Sequence, residues 1–108
     1  MTLELTPRPD LTQFMGYLHA GVTSGLADHA AGAAYASTLP EGRTCLTIEF
    51  KINLMKPVTG DCVAAEARVL SAGRSVGVVQ SDVYAETDDT RTHCATALVT
   101  LKAISADG

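Results

Sequence analysis

The chain has 108 residues, 46% of them hydrophobic and 19% charged, a balance that suits one folded domain, 1–108, with a single core. Twelve acidic against eight basic residues give a formal charge of −4, and no Lys/Arg cluster interrupts it, so a phosphate-backbone footprint is missing and nucleic acid is not an expected partner. No apolar run approaches the roughly 20 residues of a membrane span, and the opening MTLELTPRPD lacks a basic region followed by an apolar core, so a cytoplasmic location without membrane association is expected.

Residues 1–15 are short and mixed, with Pro7 and Pro9 marking irregular or edge structure. From Val22 to about Thr38, with a start near Ala20, the residues Val22, Leu26, Ala30, Ala33 and Ala34 recur at helical spacing. Six alanines between Ala27 and Ala36, with Gly25 and Gly32, leave this helix little side chain to hold neighbours away. Each glycine costs about 1 kcal/mol against alanine in a helix interior, so close backbone approach is expected to compensate at both.

After LPEG the period changes. In RTCLTIEFKINL, Leu46, Ile48, Phe50, Ile52 and Leu54 alternate with Cys45, Thr47, Glu49, Lys51 and Asn53, as a half-buried strand requires. DCVAAEARVL reads as a second strand, with Glu66 and Arg68 opposite Val63, Ala65, Ala67 and Val69; SAGR is a turn, RSVGVVQSDVYAE a third strand, ETDDTR a polar hairpin and THCATALVTLKAI a fourth strand. The connections are too short for crossover helices, so these four strands are expected to form an antiparallel meander. The class is α+β: one helix of about 17 residues, some 25 Å long, wrapped by a curved antiparallel sheet of about five strands.

Cys45, Cys62 and Cys94 are odd in number, far apart and form no CxxC, which points to three reduced thiols rather than a disulfide or zinc framework. His19, His29 and His93 have no metal-ligand spacing, so no metal or other cofactor is expected. Neither His93-Cys94 nor Asp28-His29 works as a nucleophile-base pair, because adjacent residues on a strand or helix diverge.

Chemistry concentrates in GYLHAG and the helix that follows. The N–H groups near Ala20 and Gly21 fall at the helix N-terminus, where donors are unpaired and the dipole is positive, a place suited to an anion or a developing oxyanion. Glycines before a helix more commonly serve only the turn. Asp28 lies eight residues along, about 12 Å, too far to serve a carbonyl held at its own helix N-terminus. A homodimer with antiparallel neighbouring helices would set Asp28 of one chain beside the HAG loop of the other. The simpler alternative is an aspartate facing solvent.

The order Gln13, GYLHAG, LADHAAGAA, LTIEFKINLMKPVTGD and AGRSVGVVQSDVYAE resembles the PaaI-type thioesterases of the hotdog-fold superfamily. Its specific parts are a histidine loop followed nine positions on by an acid, His19 to Asp28, and a strand pattern filled by Thr47, Glu49, Ile52, Asn53, Pro57 and Gly60. The resemblance implies a hotdog fold, a homodimer or dimer of dimers, and hydrolysis of an acyl-CoA, aryl or short/medium-chain, to the free acid and coenzyme A. It further implies Asp28 as general base or nucleophile, the Ala20 amide as oxyanion donor, His19 shaping the loop, Gln13 contacting the thioester or orienting water, and Thr47 as a hydroxyl from the subunit that supplies the acid. Gly21, with the Gly73-Arg74 turn, is implied to contact substrate, the turn at the nucleotide end of coenzyme A. Ala20 stands where the family usually has glycine, and the segment before Gln13 is short for the pattern, so one wall of the acyl pocket is expected to be either open or supplied by the partner chain. A dehydratase on hydroxyacyl thioesters and a non-catalytic acyl-CoA binding module are the two other readings the same fold allows.

Overall fold

The computed structural model describes residues 1–107. Strand β1 (Thr2–Leu5) is followed by a single 3₁₀ turn at Pro9–Leu11, helix α1 (Ala20–Ala36), and strands β2 (Arg43–Leu54), β3 (Cys62–Ala72), β4 (Val76–Thr87) and β5 (Thr90–Ser105). The strands form one antiparallel sheet in the order β1-β3-β4-β5-β2. The 1–15 segment is edge structure, as its prolines suggest: β1 pairs only with β3, from Thr2 opposite Glu66 to Leu5 opposite Val63. The α+β class read from the pattern holds.

The expected meander holds for β3, β4 and β5 but not for β2, which pairs with β5 at the far edge of the sheet. Residues 55–61 therefore cross from one side of the sheet to the other. Three strand spacings are about 14 Å, within the reach of seven extended residues, about 23 Å. Connection length excludes a crossover helix but not a strand that passes over its neighbours.

Helix α1 packs against all five strands. Its alanines set the distance: Ala27, Ala30 and Ala31 are fully buried, beside Val63, Ala65, Val79, Val83, Ala95, Val99 and Leu101 from β3, β4 and β5. The helix ends without a left-handed residue; Ser37 and Thr38 hydroxyls donate to the carbonyls of Ala34 and Tyr35, both at 2.7 Å, and so cover acceptors the last turn leaves open. The two helix glycines do not behave alike. A Cβ at Gly32 would meet Leu101 at ordinary contact distance, whereas one at Gly25 would meet nothing within 4 Å, so the close approach expected at Gly25 is absent from this chain.

Strict alternation along β2 also fails, for a definite reason. The register with β5 shifts between Thr47 and Glu49, a β-bulge that moves the side-chain phase by one residue. Before it, Cys45 and Thr47 share a face with Ala103 and Leu101; after it, Phe50, Ile52 and Leu54 share that face with Val99, Ala97 and Ala95. Leu46 is left on the opposite face, opposite Lys102, and Ile48 in the bulge; both are more than half exposed.

Candidate active site

The loop into α1 is held by backbone bonds. Leu18 N–H donates to Val58 O at 2.9 Å, His19 N–H to Leu11 O at 3.1 Å, and Gln13 N–H to Tyr17 O at 2.8 Å. His19 is the N-cap, with extended φ −59°, ψ 142°, and no side-chain cap bond. Its carbonyl accepts the N–H groups of Val22 and Thr23 at 3.0 and 3.1 Å. Among the described residues, the Ala20 and Gly21 N–H groups have no partner, which leaves two donors at the positive end of the helix dipole. Ala20 lies inside the regular helix, so its amide needs no conformation reserved for glycine.

Beside these donors lies a cavity of about 420 Å³ lined by Gln13, Tyr17, Leu18, His19, Ala20, Thr23 and residues 54–58. Its walls are largely apolar, through Leu18, Leu54, Met55, Pro57 and Val58. Gln13 reaches it from a tight turn in which its Oε1 accepts the Met15 N–H. Gln13, His19 and Ala20 are thus brought together.

Asp28 occupies a second cavity of about 300 Å³, with His29, Gly32, Thr44, Cys45 and Thr47 among its walls. Thr47 Oγ1 donates to Asp28 Oδ1 at 2.6 Å. The β2 bulge makes this possible, because it keeps Thr47 on the helix face while the strand beyond changes phase. Cys45, in the same cavity, donates to Gly32 O at 3.4 Å. Burial, and then the neighbouring Asp28 carboxylate, push its thiol above the ordinary pKa of 9.0 against a backbone bond that pulls the other way, so it stays protonated at neutral pH.

The predicted residues therefore fall into two groups, one at the head of α1 and one around Asp28, with Ala20 and Asp28 eight residues and about 12 Å apart; Gly21 follows Ala20 in the first turn but lines neither cavity. Gly73 and Arg74 join neither. Their turn sits at the far end of α1, where the buried Tyr35 hydroxyl donates to Gly73 O at 2.8 Å, and they line a third cavity of about 270 Å³ with Thr38, Leu39, Pro40 and Arg43. Tyr35 was not among the residues singled out from the sequence. Its signal was the one aromatic in the alanine run. His93 is taken up elsewhere, on the sheet face turned away from α1, with Nε2 at 3.0 Å from Asp82 Oδ1 and its ring stacked on Tyr84. Cys94 beside it is fully buried, and His29 is exposed, so neither adjacent pair is a dyad.

A helix lying across a five-stranded antiparallel sheet in this order, with free amides at its N-terminus and a carboxylate two turns on, is the hotdog arrangement. The chain belongs to the thioesterase superfamily, whose family model matches residues 15–92. A solved thioesterase family protein from Silicibacter pomeroyi superposes with a TM-score of 0.94 at 36% identity, over 97% of this chain and 77% of that one. A curated, provisionally named esterase of Saccharolobus solfataricus is 37% identical over 83% of this chain. The 1,4-dihydroxy-2-naphthoyl-CoA hydrolase of Listeria monocytogenes is 30% identical over 80% of it. The chain spans 57% and 68% of the length of these two relatives.

Proposed function

We propose that this protein is an acyl-CoA thioesterase of the PaaI type, working as a homodimer whose two sites each draw on both chains. The observation that carries this reading is the division of the site along α1: the unpartnered Ala20 amide borders an apolar cavity, while Asp28, oriented by Thr47, waits about 12 Å away beside the edge strand. One chain cannot apply both to a single carbonyl, but a twofold axis relating antiparallel helices would do so twice.

Edge strand β2 supplies the means. It is 12 residues long and unpaired on its outer side, and it exposes Leu46, Ile48, Phe50 and Leu54 by 42–60%. A long apolar edge invites strand pairing, and pairing with a second copy would carry the Asp28 and Thr47 of one chain toward the loop of the other.

In the proposed reaction the acyl group lies in the 420 Å³ cavity with its carbonyl oxygen accepting the Ala20 N–H. Asp28 of the other chain takes a proton from water as the water oxygen attacks the carbonyl carbon. Negative charge passes to the carbonyl oxygen, where the amide and helix dipole stabilise it. The intermediate collapses by breaking the C–S bond, and the departing sulfur takes the proton from Asp28, giving free acid and coenzyme A. Thr47 holds the carboxylate in place through Oδ1, leaving Oδ2 for water, and Gln13 orients the thioester. His19 shapes the loop, and Gly21 borders the substrate. Arg74, with Arg43 beside it at the third cavity, offers cationic groups for the phosphates of coenzyme A. A thioester is activated enough that positioning, a base and oxyanion donors suffice. The coenzyme A hydrolase among the relatives supports this substrate class.

The test is release of free thiol from aryl, short-chain and long-chain acyl-CoAs by the native protein and by Asp28→Asn, with the mass of each in solution. The expected result is turnover by the native dimer and a loss of about 10²- to 10⁴-fold in Asp28→Asn with the dimer intact. Binding of acyl-CoA without cleavage of any would overturn the reading in favour of a binding module.

A further inference from the structure

The loop that leads into α1 ends in a hydrogen-bonded tip. Thr12 and Leu18 form a bridge, Gln13 N–H donates to Tyr17 O at 2.8 Å, Gly16 N–H donates to Gln13 O at 2.9 Å, and Gln13 Oε1 accepts the Met15 N–H. Gly16 takes φ +87°, a left-handed conformation that glycine adopts without strain. The tip holds two apolar side chains outward: Phe14 is 96% exposed and Met15 62%. A single exposed apolar side chain is ordinary on a protein surface, but these two adjoin the apolar edge of the sheet. Leu54, the last residue of β2, and Met55 are half exposed and share the cavity at the head of α1 with Gln13.

A matching hollow lies further along the same helix. The 300 Å³ cavity that holds Asp28 has Gly32, Ala33, Ala36 and Leu101 as its apolar walls. Residues this small leave it open beside β2, and a Cβ at Gly32 would meet only Leu101, at 3.9 Å. The twofold arrangement proposed for the site brings the two features together. For Ala20 of one chain to lie level with Asp28 of the other in antiparallel helices, the axis passes level with Ser24, four residues from each. The loop tip adjoining the head of α1 in one chain then falls past Asp28 of the other, on the turn that carries Gly32, Ala33 and Ala36.

We propose that Phe14 of each chain inserts into the hollow between α1 and β2 of a second copy, against Gly32, Ala33 and Ala36, so that the partner closes the open side of the cavity holding Asp28. This rests on the twofold arrangement proposed for the site. The contact is self-complementary, since knob and hollow belong to the same chain and a twofold axis makes it twice. Each insertion takes about 150–250 Å² of aromatic surface out of water, in addition to whatever the β2 edges bury. An aromatic anchor seated in a pocket carries a large share of an interface's binding energy, and the hydrogen-bonded tip holds Phe14 ready, so little ordering is left to offset that gain.

The chain contains no tryptophan, so Phe14→Trp introduces a single indole whose emission and quenching by acrylamide report its surroundings. Both are measured in Phe14→Trp alone, with Ala36→Leu added to fill the hollow, and with Ile48→Lys and Phe50→Lys added to block the β2 edge, sedimentation giving the mass of each. In the dimer the indole should emit to the blue and resist acrylamide. Ala36→Leu should return it to the red, quenched state of the edge-blocked monomer. In the otherwise native chain, Phe14→Ala should weaken the dimer by about 10-fold or more in Kd. A dimer whose indole is as exposed as in the monomer, burial that Ala36→Leu leaves unchanged, or shielding that appears only on adding a hydrolysis-resistant acyl-CoA thioether overturns the proposal. A dimer that buries the indole against Ala36 but cleaves no thioester would keep this contact and remove the hydrolase reading instead, whereas a chain that is monomeric throughout overturns both.

Discussion

Tyr35 and Gly77 show how one side chain constrains another far away in sequence. Tyr35 is fully buried at the end of α1, and its ring lies so close over β4 that a Cβ at Gly77 would sit 2.4 Å from two ring carbons. A methyl group cannot be accommodated there without moving the ring, and the ring is tied by its hydroxyl to Gly73 O. Gly77→Ala should therefore destabilise the protein by about 1–3 kcal/mol, the usual cost of overpacking, and Tyr35→Phe by about 1 kcal/mol through its lost hydrogen bond. Urea unfolding midpoints measure both. Neither residue stood out in the sequence, since nothing local distinguishes a glycine under a ring from a glycine in a weak strand. Thr47 was legible only through its resemblance to a family position; the pattern of β2 by itself assigned it to the polar face.

Strand β2 is the edge on which the proposed dimer rests. Its existence and bounds followed directly from alternation, but its neighbour and its phase did not. Pairing with β5 rather than β3 makes it an edge, and the bulge between Thr47 and Glu49 sends Leu46 and Ile48 outward. If this edge is the dimer contact, Ile48→Lys combined with Phe50→Lys should convert the protein to a monomer in sedimentation and reduce thioester hydrolysis to the level of Asp28→Asn, while circular dichroism stays native-like. Charges on an edge strand oppose its pairing. Thr47→Val, which leaves the edge intact, should keep the dimer and lower kcat about 10-fold or more by freeing the Asp28 carboxylate. The two variants together distinguish losing the partner from losing the orientation of the base.

Across the whole molecule the three thiols behave alike. Cys45, Cys62 and Cys94 are free, and burial is the leading reason that each is held above the ordinary thiol value of 9.0. For Cys62 the Glu4 carboxylate adds to this, and for Cys94 a backbone bond and Lys56 oppose it. In the folded protein they bind protons more tightly than in the unfolded chain. Their contribution to stability is complete below pH 9 and is lost as pH rises through the folded values. The melting temperature should accordingly fall on passing from pH 8.5 to pH 10.5, and fall less in a Cys94→Ala/Cys62→Ser variant compared with its own value at pH 8.5. Alkylation at pH 7.5 should be slow for all three thiols until denaturant is added.

The amino-acid sequence by itself determined the elements of this protein and their order, because helical and strand periods are local properties that a chain displays residue by residue. It also determined that a carboxylate lies two turns from the amides of the helix N-terminus, since that spacing is fixed by helical rise. The tertiary structure alone decided which strands became neighbours, because a seven-residue connection can lead to an adjacent strand or pass across the sheet. It decided the phase of β2, because a bulge depends on what the strand packs against. It likewise decided that the Thr23 hydroxyl is buried without a partner, since an unsatisfied hydroxyl is a property of everything around it.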